Sequence, residues 1–510
     1  MLFPWFGERL PQREWTPAIT ASATGVVRVL RMRLSFFATM AQFGTVAALT
    51  KCVGITGGIA MGKSTCTTFL RDIYGVPVHD ADAAVHRLYA SGGAAVAAIR
   101  DRFGAGVISA EGAVDRAALS AVLQALDDAE RGAAFRALEA IVHPLVAADR
   151  TAFVADARAA RAWLVGVDIP LLFETLGDGA RASGIDHVLA VTCGSAAEQR
   201  RRALKRPGMS EGKLDAILAR QLDDGDRLSR ADSVVDTSFF DKARARGATA
   251  KILAALWSGP AGPPGVATAV SFDLDNTFWP TLPPLMKIRH ARPELCERYL
   301  PKTFEALAPD VEAKMDAFEA ARPKLDVEAE LKHDITARRR VAFRALAARH
   351  GDADEDADAL VADFVQRRTD ATDEFLEADA LPVVAALRAR GLRVGALTNG
   401  NAGRAGRLGD ALDFWLTASD VGASKPATPP FVAACHAAGC APEALVHVGD
   451  SLHDDVLGAL DFGCRAVHVT KLAAEADEPE LLARLAAYGD DRFRRVATLA
   501  DVEAAIADWL

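Results

Sequence analysis

Short apolar runs alternate with helical patterns along most of this chain. Residues 52–56, 163–168 and 187–191 are apolar runs bounded by polar positions, and they predict buried strands. Residues 269–272, 393–397, 445–448 and 465–469 predict four more. Cys66, Phe69, Leu70 and Ile73 recur at helical spacing and predict an amphipathic helix after the first strand. Strands alternating with helices imply parallel sheets covered on both faces. Such sheets hold ligands beyond the carboxyl ends of their strands. A dense Gly/Pro stretch within 258–266 supports neither helix nor strand and predicts a linker. It separates two α/β domains at roughly 51–257 and 267–510. From about 285 to 378 no strand pattern appears. That segment is helical and charged, with Arg338, Arg339 and Arg340 and an acidic stretch from Asp352 to Asp358, and it predicts a helical insertion in the second domain.

Composition adds little to this. Half of the 510 residues are apolar and a quarter are charged, as in ordinary globular proteins. The net charge of -9 is spread without a basic face, which argues against a nucleic-acid partner. The seven cysteines form no Cys-x-x-Cys pair and read as reduced thiols, neither a disulfide framework nor a zinc site. Residues 1–50 differ. Arg9, Arg13, Arg28, Arg31 and Arg33 face only Glu8 and Glu14, and an uncharged run occupies 34–50. A targeting segment, a disordered extension and a later start at Met32 or Met40 all fit. The run is short and interrupted by polar residues, so no stable membrane span is expected. With the reduced cysteines, a cytoplasmic location is expected, or a mitochondrion or other organelle if the extension is a targeting signal.

The strongest local signal is Gly57-Gly58-Ile59-Ala60-Met61-Gly62-Lys63-Ser64, followed by Thr65. It matches Gly-x-x-x-x-Gly-Lys-Ser between a predicted strand and a predicted helix. Glycines let backbone N–H groups curl around phosphate oxygens, and the helix N-terminus adds positive potential. Lys63 is placed to reach the terminal phosphates of ATP, and the Ser64 hydroxyl to meet Mg²⁺. The next polar feature is Asp80-Ala-Asp82, after a second short strand. A carboxylate there suits a general base for an acceptor hydroxyl, and equally a helix N-cap.

With these residues the chain resembles dephospho-CoA kinase. The resemblance is carried by 55–65, Asp80 to Asp82, Asp115-Arg116 and His143-Pro144. It continues through Asp168-Ile-Pro-Leu-Leu-Phe-Glu174, Gln199 to Arg206, Ile217 to Gln221 and Ala231 to Asp236. It covers about 51–257. It implies a P-loop NTPase-type parallel-sheet domain that transfers phosphate from ATP to the ribose 3′-hydroxyl of dephospho-CoA. That reaction is the last step of coenzyme A biosynthesis. Carried over, Asp82 is the base, and Lys63 and Ser64 hold ATP and Mg²⁺. Arg206, joined by Arg202, closes on the phosphate, while Arg200 and Arg201 read as a solvated basic face. Arg116 and His143 lie on the substrate side, with His143 equally a packing residue at a helix start. Two departures stand out: Ala60-Met61 replaces Gly-Ser, and Thr237 replaces Asn near the expected nucleotide base. A nucleoside or nucleotide kinase, which shares the loop and lid, is the alternative.

In the second half, Asp273-Leu-Asp275-Asn-Thr277, Thr398-Asn399-Gly400, Ser424-Lys425-Pro426 and Gly449-Asp450 to Asp455 fall in order at strand ends or helix starts. This set resembles the haloacid dehalogenase (HAD) superfamily, whose cap corresponds to the helical insertion at about 285–378. The resemblance implies a Rossmann-like domain with a Mg²⁺-dependent phosphatase site. Asp273 is the nucleophile, and Asp275 protonates the leaving oxygen and favours a phosphatase over a dehalogenase. Thr398, Asn399 and Lys425 hold phosphoryl oxygens. Asp273, Asp450 and the Asp275 backbone carbonyl bind Mg²⁺ with support from Asp455, while Asp454 reads as a solvated neighbour. Asn276 stands in place of glycine, and Ala427-Thr428 in place of Asp-Pro. The alternative is a catalytically silent interaction module. The partners expected are small molecules: ATP, dephospho-CoA and a further phosphoester.

Overall fold

The computed structural model describes residues 50–510 apart from 161, 239–241, 258–264, 308–330, 474–478 and 487. The N-terminal extension and most of the Gly/Pro stretch lie outside the described residues. Two compact units result.

The first unit is built on five parallel strands: β1 (Lys51–Thr56), β2 (Val78–Asp80), β3 (Leu164–Asp168), β4 (His187–Thr192) and β5 (Ser233–Asp236). Their order is β2-β3-β1-β4-β5. The central strand β1 pairs with β3 on one side and β4 on the other. The chain therefore leaves β1 in one direction and returns to its other side, the switch point at which such sheets open a ligand crevice. Burial of Cys52 through Thr56 explains why this run reads as nearly unbroken apolar sequence. The helix Lys63–Tyr74 follows, with Cys66, Phe69 and Leu70 buried as the stripe requires. A second core lies among the helices between β2 and β3, around Ile99, Leu119, Leu123 and Leu138.

The second unit has six parallel strands in the order β11-β10-β9-β6-β7-β8. They are β6 (Ala269–Phe272), β7 (Arg393–Thr398), β8 (Phe414–Thr417), β9 (Leu445–Gly449), β10 (Arg465–Val469) and β11 (Phe493–Val496). Pattern reading reached four of these and passed over β8 and β11, both at sheet edges. β11, FRRV, is interrupted by two arginines, and β8, FWLT, is a short apolar run whose middle is only half-buried. Between β6 and β7 the described residues form helices only. Leu282–Tyr299, Ile335–His350 and Asp354–Glu374 pack on one another around Leu295, Leu346, Leu360 and Phe364.

The division between the units differs from the sequence expectation. The first ends at Ser238, ahead of the Gly/Pro stretch. The helix Ala243–Leu256 packs on the second unit, against the helices Ala418–Val421 and Thr428–Ala438. Arg246 Nη1 donates to Ser419 O at 3.0 Å, and the Trp257 ring lies 4.8 Å from that of Phe462. A composition break marks where regular structure stops, not which core claims the helix before it. All seven cysteines are buried free thiols. Among the described residues no helix is long and apolar enough to cross a membrane.

Candidate active sites

The first site lies at the carboxyl end of β1. Loop 57–62 turns there into the helix Lys63–Tyr74, and two glycines are required by close approach. A Cβ on Gly57 would sit 2.6 Å from Val191 O of β4, and one on Gly62 would sit 2.6 Å from Thr237 Oγ1. Ala60 takes a left-handed backbone, φ +62°, at the position where the sequence departs from glycine. The loop tolerates this at a cost of roughly 1 kcal/mol. Lys63 Nζ donates to Gly57 O at 2.9 Å, and burial holds its pKa below the usual lysine value against the pull of Asp168 and Asp82. Ser64, at the helix start, is an exposed residue.

Thr237, which stands in place of asparagine near the expected nucleotide base, is tied to the phosphate loop. Its buried hydroxyl lies 2.6 Å from Met61 O and 3.0 Å from Thr192 O, and it accepts from Arg202 Nη1 at 2.9 Å. Arg202 also donates to Thr237 O and to Glu198, so in this structure it braces the loop. Arg200 pairs with Asp215 and Glu211, and Arg201 with Glu198, as surface ion pairs. Arg206 is half-buried near Lys63, and burial holds its guanidinium below the usual range.

Asp82 and Asp168 face Lys63, and Asp80 lies beside both carboxylates. Asp80 accepts from Ala83 N at 3.0 Å and caps the helix Ala81–Tyr89, which leaves Asp82 uncapped in the first turn. Burial and Asp80 push the Asp82 carboxyl up, while Lys63, His86 and Arg116 oppose the shift. Asp168, at the end of β3 and in register with Asp80, is pushed up to about 7. Burial is the main cause, Lys63 opposes it, and Asp80 and Asp82 add to it; its Oδ1 is buried without a partner among the described residues.

Asp168 makes stability depend on pH with a definite sign. Unfolded, the group titrates near its ordinary value, about 3.9. Folded, it keeps its proton to about 7. Between these values the folded state binds more protons, so stability falls as pH rises and the loss is complete above the folded pKa. Asp168→Asn is expected to flatten this slope. The thermal midpoint of the nucleotide-free chain should drop less from pH 5 to pH 8 in the variant than in wild type. Equal drops would refute the assignment.

Arg116 Nη1 lies 3.2 Å from His86 Nε2, with its guanidinium 5.4 Å from the Tyr89 ring centre. His143 does not stand at a helix start. It sits within the long helix Asp128–Ala159, which continues through Pro144.

Three residues at this site escaped sequence reasoning. Gln199 Nε2 donates to Ile59 O at 3.0 Å, and Gln221 Oε1 accepts from Ile59 N at 3.0 Å. Arg227, with a side chain 1% exposed, donates to Asp224 Oδ1 at 2.9 Å and to Leu222 O at 2.6 Å. It lies 3.5 Å from Glu174. A lone arginine in a charged run gives no sign of burial. The two glutamines stand inside the motifs quoted above, but only the fold turns them toward the loop.

The second site gathers at the carboxyl ends of β6, β7 and β9. Lys425 is its hub. The buried Nζ donates to Asp273 Oδ1 at 2.7 Å, Asp455 Oδ1 at 2.5 Å and Leu397 O at 2.7 Å. Asp455 also accepts from Ser451 N at 3.0 Å and lies 3.1 Å from His447 Nε2, whose Nδ1 is 2.8 Å from Ser271 Oγ. Despite its burial, these partners hold Asp455 well below the usual carboxylate range. Lys425 is pushed up by its two carboxylates. Asp273 goes the other way: burial and the facing carboxylates of Asp455 and Asp450 push it up against Lys425. Ligand oxygens of Asp273, Asp450 and Asp455 lie within 4.8 Å of one another. One ammonium among three carboxylates leaves negative charge uncompensated, and an oxygen-liganded divalent cation fits that deficit.

Asn399 has its amide engaged. Its Oδ1 accepts from Lys425 N at 2.7 Å, and its Nδ2 reaches Lys425 O and Asp454 Oδ2, both at 3.1 Å. It therefore positions the lysine loop, and Asp454 is a brace more than a solvated neighbour. Buried Thr398 accepts from Gly400 N through Oγ1 at 2.9 Å. Asn276 adopts φ +60°, which asparagine tolerates better than most residues, so the missing glycine is accounted for. Asp275 accepts from Trp279 Nε1 at 3.0 Å and pairs through both oxygens with Arg368 Nη2 at 2.9 Å.

His447 and Ser271 also escaped sequence reasoning. Each is a polar residue inside an otherwise apolar buried strand, and they are direct register partners across β6 and β9. That isolation was the available signal. A Cβ on Gly400 would collide with Asp275 Oδ2 and lie 3.1 Å from Thr398 Oγ1. Gly400→Ala is therefore expected to lower any hydrolase turnover at this site at least about tenfold through overpacking. ATP-dependent kinase turnover, assayed in parallel, should not change.

Fold and sites together define a P-loop kinase domain followed by a HAD-like hydrolase domain. Residues 51–240 match the family model described as dephospho-CoA kinase, and residues 267–463 match that of haloacid dehalogenase-like hydrolase. The dephospho-CoA kinase of Paramagnetospirillum magneticum is 52% identical over 177 residues, 35% of this chain and 77% of that protein. That of Jannaschia sp. is 49% identical over 192 residues, 38% of this chain and 91% of that protein. A solved 2-haloacid dehalogenase from Pseudomonas syringae pv. Tomato is 27% identical, covering 48% of this chain and all of that one, with a TM-score of 0.40. The chain belongs to the dephospho-CoA kinase family, and it carries a haloacid dehalogenase-like hydrolase domain behind the kinase.

Proposed function

We propose that the chain is bifunctional. The first domain transfers the γ-phosphoryl group of ATP to the ribose 3′-hydroxyl of dephospho-CoA, and the second hydrolyses a phosphomonoester. The observation that carries the first reading is Lys63 at the head of the phosphate loop, facing Asp82 and Asp168. In this reading loop 57–62 binds the ATP phosphates through backbone N–H groups, and Lys63 moves from Gly57 O to the phosphate oxygens. Asp82 accepts the 3′-hydroxyl proton as the new P–O bond forms and the bond to ADP breaks. Arg206 spreads its charge over the transferring group. The Mg²⁺ that accompanies ATP would be held by Ser64 and Asp168, neutralising phosphate charge. Arg116 and His143 stand toward the acceptor.

In the second domain Asp273 attacks phosphorus, and the ester oxygen leaves with a proton from Asp275. Water then cleaves the aspartyl-phosphate, giving its proton to Asp275. Lys425 and Thr398 hold phosphoryl oxygens. Asp273, Asp450 and Asp455 would hold Mg²⁺, which supplies charge neutralisation at the phosphoryl group.

The test offers the full chain ATP with dephospho-CoA, and separately with nucleosides and nucleotides. Turnover of dephospho-CoA is expected, and turnover of nucleosides or nucleotides alone would sink the kinase assignment. For the second domain, p-nitrophenyl phosphate with Mg²⁺ should be hydrolysed, and chelation should stop the reaction. No hydrolysis across a broad phosphoester panel would leave the silent module standing.

A further inference from the structure

Arg368 belongs to no motif used above, yet it ends in the second site. It comes from the cap helix Asp354–Glu374 and is buried, with a side chain 5% exposed. Nη2 holds both oxygens of Asp275 at 2.9 Å, and Nη1 donates to Asn401 Oδ1. Nε is buried with no hydrogen-bond partner among the described residues. A Cβ on Gly400 would lie 3.6 Å from Nη2 and 3.1 Å from Thr398 Oγ1. The guanidinium thus borders the phosphoryl pocket on the side of Asp275, where the leaving group departs.

We propose that Arg368 makes this site select phosphomonoesters whose leaving group carries a carboxylate. This rests on the hydrolase reading above. A guanidinium binds a carboxylate best through two parallel N–H groups. On Arg368 the Nε–Nη2 edge is only half used: Nη2 serves Asp275, and Nε serves no described group. A buried donor without an acceptor is costly, and a ligand oxygen placed there removes the cost. A substrate carboxylate has the same chemistry as the Asp275 carboxylate that Arg368 already holds, and its second oxygen reaches Nε. The other described groups bonded to this cluster are neutral. Trp279 donates to Asp275, and Asn401 accepts from Arg368 and donates to Thr336 Oγ1 at 3.1 Å. No further carboxylate is bonded to Arg368 among the described residues.

The test is calorimetric titration of the full chain in MgCl₂ with phosphonoacetate and with ethylphosphonate. The two probes are of similar size and cannot be hydrolysed, and only the first has a carboxylate. Phosphonoacetate is expected to bind at least about tenfold more tightly to wild type. The ratio should fall to near one in Arg368→Met and recover in part in Arg368→Lys. Equal binding of the probes to wild type overturns the proposal, as does failure of both to bind. A ratio retained in Arg368→Met also overturns it, even with a lowered thermal midpoint, since that marks a structural latch. If the Met variant does not fold, the wild-type ratio and its change in the Lys variant decide. Hydrolysis is scored separately. Absence of Asp273-dependent p-nitrophenyl phosphate turnover defeats the hydrolase reading, whereas the probe ratio is read from binding alone.

Discussion

Lys63→Ala is expected to remove dephospho-CoA phosphorylation, with kcat/KM falling by about a thousandfold or more, on the order of 4 kcal/mol. The Lys63 ammonium is the cation that the loop itself aims at the phosphates, and at rest it is parked on Gly57 O. Alanine leaves Asp168 and Asp82 without the positive charge that opposes their upward shifts. The variant should therefore also shift further toward protonated carboxylates, and activity lost this way will not return at high ATP. Turnover of p-nitrophenyl phosphate should be unchanged, because the residues of the second site belong to another unit. A loss below tenfold would refute the role given to Lys63. Loss of both activities in a folded variant would show that the two units communicate.

Asp273→Asn is the sharpest test of the second site. Asparagine cannot form the aspartyl-phosphate, so hydrolysis should fall by at least about three orders of magnitude. The same change should stabilise the protein near neutral pH. Asp273 is buried opposite Asp455 and Asp450, and its folded-state pKa is raised. Ionising such a group costs folding free energy above its unfolded pKa, and the amide removes that cost. Lys425 retains Asp455 and Leu397 O as partners. The expected result is thus an inactive variant with a higher thermal midpoint at pH 7 without added metal. More than 1% residual turnover, or a lower midpoint, would contradict this account.

The strands that build both sites were legible because parallel sheets bury both faces. Runs such as those of β1 and β9 therefore carry little but apolar residues. The phosphate loop, Asp273 and Lys425 were legible because their chemistry fixes residue types at fixed spacings. What stayed hidden was set by three-dimensional proximity. Arg227 and Arg368 are buried arginines whose neighbours come from distant segments, and no local spacing encodes that. Thr237 stands beside the first site, where its bond to the Met61 carbonyl gives it a bracing part. Asn399 likewise serves the backbone of Lys425. The edge strand β11 was missed because two arginines break its apolar pattern, and β8 because its apolar run is only three residues long.

The helix Ala243–Leu256 has a practical consequence for anyone expressing the halves separately. A fragment cut in the Gly/Pro stretch would carry this helix away from the core that covers it. Ile252, Leu253 and Leu256, all buried in the intact chain, would then face water. Such a piece invites self-association, and its neighbour would be left with a matching apolar scar. Cutting just after Ser238 keeps each hydrophobic surface with its own cover. Solubility of the two alternative truncations would then report, without any assay of activity, which core the helix serves.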